Sequence, residues 1–251
     1  MAFLVNFPRM LFVLSFLVLW LATWIGGWLE RWWNGFDEGD HTDFNVVQGA
    51  TLTLLGLIIG FSFSMAIGRY DQRKVYEEEE ANAIGTEYLR ADLLPQAEGD
   101  RTRQLLRRYT DLRIAFYETR DREEVRKIGE ETTEIQSQLW QTVAGPAKAT
   151  PNPVIALAAG GMNDVLNSQG YTQAAWLNRI PEAAWVLMFV IAIFANTMLG
   201  FGVRKVHPGL FLVLPLVVSI SFFLIADIDS PQRGLIHVAP QNLLSLRANL
   251  R

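Results

Sequence analysis

Four long apolar stretches without charge constrain this chain more than any other feature of its sequence. The first, Met10 to Leu29, is twenty residues long, and only Ser15 and Thr23 in it are polar. At about 1.5 Å per residue, a helix of that length covers the ~30 Å hydrocarbon layer of a bilayer. The second runs from Val46 to Ile67 and carries no charge, although Gln48, Thr51, Thr53, Ser62 and Ser64 interrupt it. The third and fourth are Ala183 to Phe201 and Gly209 to Ala226, joined by a tight connection near Arg204 to Pro208 that makes them an antiparallel hairpin. Pro215 is placed to kink the fourth, and neighbouring helices or serines can satisfy the carbonyl that a proline frees. A cleaved signal peptide competes for the first stretch, but its apolar region would be shorter and would end in small residues. Here the end is Trp24-Ile25-Gly26-Gly27-Trp28, followed by Trp32 and Trp33, which suits an aromatic belt anchoring a retained helix.

The charges crowd into the middle. Between Arg69 and Glu182 lie 15 Lys/Arg and 19 Asp/Glu, a nearly balanced set. Within it Ala81, Ile84, Tyr88 and Ala91 recur at helical spacing, as do Leu105, Tyr109, Leu112 and Phe116, and then Ile128, Thr132, Ile135 and Leu139. Spacings of three and four put each set on one helix face. Breaks are expected at Pro95 to Asp100, around Arg120 to Glu123 and at Gly145 to Pro153, with a further helix from Val154 to about Leu166. Ser64 to Leu94 contains no proline, so the second span can continue unbroken into this region. The expected fold is an all-α integral membrane protein: four transmembrane helices with a helical cytoplasmic bundle inserted between spans two and three. The corresponding divisions are 1–68 (spans one and two with an acidic outer loop), 69–182 (cytoplasmic), 183–226 (membrane hairpin) and 227–251 (cytoplasmic tail).

Orientation follows from Lys and Arg near the span ends. The first loop carries Asp37, Glu38, Asp40 and Asp43 but only Arg31, whereas Arg69, Arg73 and Lys74 follow span two. That predicts a multi-pass protein of the cell membrane with both termini in the cytoplasm, although Arg204 and Lys205 then fall on the outer side, against the rule.

Several chemistries are disfavoured. A formal net charge of −4 argues against a nucleic-acid partner, whose footprint would be basic. With no cysteine there is no disulfide, thiolate nucleophile or Cys-based metal site. His41, His207 and His237 are dispersed, with no His-x-x-x-His or Glu-x-x-His pair to seat a metal. Gly200-Phe-Gly202 lacks the third glycine of a dinucleotide loop and reads as helix packing, and the serines have no partner base. No enzyme, cofactor or metal site is expected.

Span two is the most informative helix. Gly56, Gly60, Ser64 and Gly68 fall at four-residue spacing, and small residues so placed let helices approach closely in lipid. Gln48, Thr51 and Ser62 form a polar stripe a quarter-turn or more away. The two sets suit either a packing face or the lining of a pore. The acidic residues 37–43 do not match the spacing of a calcium loop and read as a solvated turn, and Glu77 to Glu80 as the solvated face of a helix. At the end of span four, Asp227 and Asp229 are costly at a membrane boundary unless solvated or paired. Arg69, Arg73 and Arg233 are the expected partners, in a structural ion pair or turn cap. The alternative is an ion vestibule.

These motifs carry a resemblance. Gly60-Phe-Ser-Phe-Ser-Met-Ala66 leads into Arg69-Tyr-Asp-Gln-Arg73. Glu79-Glu-Ala-Asn-Ala-Ile-Gly-Thr-Glu-Tyr-Leu-Arg-Ala-Asp-Leu-Leu-Pro95, Arg108-Tyr-Thr-Asp-Leu-Arg113 and Asp227-Ile-Asp-Ser-Pro-Gln-Arg-Gly234 follow in order. Together they make the chain resemble the bacterial bestrophin-like membrane proteins. Kinship with bestrophin anion channels implies four spans, a helical cytosolic region and a ring of subunits around one pore. The expectation is a homo-oligomeric ion channel or pore in the lipid bilayer, with inorganic ions as its ligands. The alternative is a non-conducting scaffold or sensor whose cytoplasmic helices bind a protein partner.

Overall fold

The computed structural model describes residues 5, 7–32, 38–202 and 208–250, and among them it is helical, with no strand. Trp33, Asp37 and the tight connection expected around Arg204, Lys205 and His207 lie outside the described residues. Helix α1 spans Pro8–Trp32 and α2 spans Glu38–Arg90. At 53 residues α2 is about 80 Å long. It is unbroken because no proline falls between Pro8 and Pro95. A 3-10 turn, Ala91–Leu93, ends it, and Leu94 is extended (φ −88°, ψ 160°), as a residue before proline prefers.

Helix α3, Gln96–Glu118, follows directly. Helix α4, Arg122–Ala149, starts at Asp121, whose side chain accepts the Glu123 amide. The break expected at Gly145 to Pro153 is narrower than its glycine and proline suggested. Helix α4 runs through Pro146, which is buried. Only one turn follows, so the proline forfeits a single helical bond near an end that is fraying anyway. The chain breaks at Thr150, and Asn152 then caps α5, Pro153–Leu177, with Pro153 in the first turn where it suits a helix. Helix α5 passes well beyond Leu166.

Helix α6 is Glu182–Gly202, and a 3-10 turn, Pro208–Leu212, leads into α7, Val213–Asp229. Pro215 stands in the first turn of α7, where its missing N–H has no helical partner to lose, so it starts this helix instead of kinking it. Helix α8, Gln241–Asn249, closes the chain. Among the described residues three stretches, Pro8–Trp32, Thr42–Leu93 and Pro153–Gly202, contain apolar helix long enough to cross a membrane. Helix α7, where the fourth span was expected, has 17 residues, short of the ~20 of an ordinary crossing.

The chain divides into two compact units, and residues 227–251 are shared between them. The first is Met1–Arg69 with Arg179–His237. Here α1 packs on α6 and α7. Leu11, Leu19 and Ala22 meet a core that includes Trp185, Met188, Ala192, Ala195 and Phe222, all buried. The Phe222 ring lies 4.8 Å from Phe189 and edge-on to Trp185 at 6.2 Å. Apolar side chains also cover the outside, with Val13, Leu17, Leu21, Trp24, Trp28, Phe194 and Val217 exposed, as suits a surface bathed in lipid.

The second unit is Tyr70–Asn178 with Val238–Arg251. Its core joins Ala81 and Ile84 of α2 to Leu105, Leu106 and Tyr109 of α3. Ile135, Leu139 and Val143 of α4, Ala158, Met162 and Val165 of α5, and Leu243 of α8 complete it. Ile128, Thr132, Ile135 and Leu139 are all buried, so that series does mark one inward face.

Candidate functional site

The two residue sets of span two lie on opposite sides of α2. Leu55, Ser62 and Ala66 are buried, and at about 100° per residue Gln48 and Thr51 project from that same side. Thr51 Oγ1 donates back to the Val47 carbonyl at 2.8 Å and lies 3.9 Å from Met198 Sδ of α6. The polar stripe therefore turns toward the chain's own fold. Gly56, Gly60 and Gly68 turn the other way: a Cβ at any of them would meet nothing within 4 Å. Ser64 is exposed on the same line, flanked by the exposed Leu57 and Phe61. Close packing of glycines inside one chain occurs elsewhere, between α1 and α6.

At the end of α7, Asp227 and Asp229 both accept backbone amides. Asp227 accepts the Leu235 amide on Oδ1 at 2.8 Å and the Ile236 amide on Oδ2 at 2.9 Å. It thereby caps the turn after the helix. Asp229 accepts the Ile180 amide at 3.1 and 3.3 Å, and Arg69 Nη1 reaches its Oδ1 at 3.5 Å. Arg69 meets Asp229, and the Arg233 guanidinium lies over the Phe7 ring, 4.4 Å from its centre. Arg73 belongs to the other unit, where it is buried. Gly234 is required here, because a Cβ would overlap the Asp227 carbonyl.

The run Glu77 to Glu80 is only half solvated. Glu78 and Glu79 are exposed, but Glu77 and Glu80 are buried. The Arg113 guanidinium forks onto Glu80, Nε to Oε1 and Nη2 to Oε2, the latter at 3.4 Å. Thr172 Oγ1 donates to the same carboxylate at 3.2 Å, and Arg113 stacks on Phe116. Glu77 takes the Leu243 amide at 2.9 Å and Asn242 Nδ2 at 2.6 Å. It thus caps α8, whose own N-cap residue, Pro240, has no side chain to do so. Burial, followed by the Glu80 carboxylate, pushes the phenols of Tyr109 and Tyr117 up, so both stay neutral. Arg73, Glu77, Glu80, Ile84, Glu87 and Ala91 are all buried at spacings of three and four. The inward line of α2 was therefore present in the sequence, written partly in charged residues. Among the described residues no group of three His, Asp or Glu is arranged to hold a metal ion.

The family model described as Bestrophin-like domain matches residues 16–243. No curated protein matches the sequence. Solved structures of a bacterial bestrophin homologue from Klebsiella pneumoniae share this fold. One point mutant is 14% identical with a TM-score of 0.64, covering 97% of both chains. Another is 15% identical with a TM-score of 0.65, covering 95% of this chain and 96% of the other.

Proposed function

The chain belongs to the bestrophin-like family, and on that premise we propose that it assembles with copies of itself into a membrane pore that conducts ions. The observation that supports this reading is the open line of α2. Gly56, Gly60, Ser64 and Gly68 face away from the chain's own fold, with no side chain of that fold over them. In lipid a bare glycine line exposes backbone that neither packs nor repels water, which suits a surface that meets neighbouring copies or an aqueous path. The charge-free Val46 to Ile67 stretch would form the narrow part, with ions passing over backbone and the Ser64 hydroxyl. Asp227 and Asp229 act in this reading as structural caps at the cytoplasmic end, because backbone amides and Arg69 already occupy their oxygens.

Purified protein in planar bilayers under asymmetric mixed salts tests the proposal. Discrete currents are expected, with a reversal potential that a Ser64→Glu variant displaces toward cation selectivity. Protein that is inserted but passes no current would favour the scaffold or sensor reading.

A further inference from the structure

Glu87 lies on the part of α2 that belongs to the second unit. Its neighbours on the inward line of α2 are Ile84 and Ala91, both buried. The side chain is fully buried, at 0% exposure, and neither carboxyl oxygen has a hydrogen-bond partner among the described residues. It meets α5 at a glycine: a Cβ on Gly161 would overlap both Glu87 Oε2 and Arg90 Nη1. The carboxyl thus fills the space that an ordinary side chain on α5 would take. On either side of Gly161, Ala158, Met162 and Val165 are fully buried and apolar.

Few charges face this carboxyl. Arg90 on α2 favours its ionised form and Asp164 on α5 opposes it. Asp92, on the adjoining 3-10 turn, is engaged by Arg103 of α3. A buried carboxylate without a hydrogen-bond donor is strongly disfavoured, whereas the neutral acid is tolerated at far smaller cost. A contact too tight for a Cβ also has no space for the waters that would solvate an anion.

We propose that Glu87 is a proton-binding site built into the contact of α2 with α5, protonated in the packed state, whose deprotonation loosens that contact. The step is a single proton transfer, from the Glu87 carboxylic acid to water, and no other bond changes. The resulting carboxylate either closes on Arg90 Nη1, which already lies beside it at Gly161, or gains water, and only the entry of water draws it away from α5. The site would make the helical unit responsive to pH in the physiological range, since burial, outweighing Arg90, raises the carboxyl to about 8. This inference does not depend on whether the protein conducts.

Infrared difference spectra of the full chain in nanodiscs, taken between about pH 6 and pH 10, test the site directly. A protonated-carboxyl band lost with a midpoint near 8 is expected, and it should be absent from Glu87→Gln. In parallel, amide hydrogen exchange in residues 83–91 and 156–166, corrected for its chemical pH dependence, should rise several-fold above the midpoint. The same segments should stay protected in Glu87→Gln. A band that survives in Glu87→Gln, or exchange with the same pH dependence in both proteins, would overturn the proposal. Should Glu87→Gln fail to fold, two other variants decide: Arg90→Gln should move the midpoint up and Asp164→Asn should move it down. An unmoved midpoint in both would mean that the titrating group lies elsewhere.

Discussion

Gly26 of α1 and Gly200 of α6 face each other across a contact of backbone with backbone. A Cβ on Gly26 would overlap the Thr197 carbonyl and lie 3.0 Å from the Phe201 nitrogen. A Cβ on Gly200 would overlap the Thr23 carbonyl and lie 3.0 Å from the Gly27 nitrogen. The two backbones touch because neither residue has a side chain. Gly200→Ala should therefore force α1 and α6 apart and cost about 1–3 kcal/mol, the usual penalty of overpacking. Unfolding in graded denaturing detergent measures it, with Gly49→Ala as a control at a position where a Cβ meets nothing within 4 Å. Equal stability of the two variants would contradict the contact.

Gly60→Leu separates the fold of one chain from what surrounds it. A Cβ at Gly60 has no neighbour within 4 Å, so the single-chain fold should change by no more than about 0.5 kcal/mol. Conductance or the population of oligomers should fall, because a bulky side chain would then occupy the open line. A variant with unaltered current and assembly would place that line against lipid.

The topology is testable because the chain has no native cysteine. Thr42 and Ser137 are both exposed. A membrane-impermeant maleimide should label Thr42→Cys in intact cells and leave Ser137→Cys untouched until the cells are opened. The reverse pattern would invert the orientation inferred from Arg69, Arg73 and Lys74.

Asp227 should matter for stability more than for flux. Asp227→Ala removes two hydrogen bonds to the Leu235 and Ile236 amides, and because both residues are exposed each loss costs about 0.5–1.5 kcal/mol. Asp227→Asn keeps one acceptor oxygen and should melt between wild type and Asp227→Ala. If melting is unchanged in both while ion selectivity shifts, the segment is a vestibule after all.

The Glu87 carboxyl also sets a slope of stability with pH. Its folded value is raised, from 4.5 to about 8, so between those limits the folded chain holds a proton that the unfolded chain has released. Its contribution is fully present below 4.5, declines as pH rises and is lost above about 8. Melting temperature across that range should fall with pH more steeply in wild type than in Glu87→Gln. Parallel curves would show that the carboxyl ionises normally in the folded protein.

Local pattern alone carried the helical class, the apolar stretches that became α1, the first half of α2 and α6, and the unbroken run of α2. Each depends on properties that a short window contains: twenty apolar residues, a proline or its absence, spacings of three and four. Periodicity sorts residues onto faces but does not say which face meets the rest of the chain. On α2 it delivered a polar stripe and a glycine line, and only the packed fold turned Gln48, Thr51 and Ser62 inward and left Gly60 open. The same gap hid the charged half of the inward line. Glu80 can be buried only because Arg113 and Thr172, 33 and 92 residues away, supply its donors. Glu77 is buried because α8 brings the Leu243 amide and the Asn242 side chain from 166 and 165 residues further along. Desolvating a carboxylate is repaid by partners that no local window includes, so tertiary structure alone could decide which of four consecutive glutamates faces water.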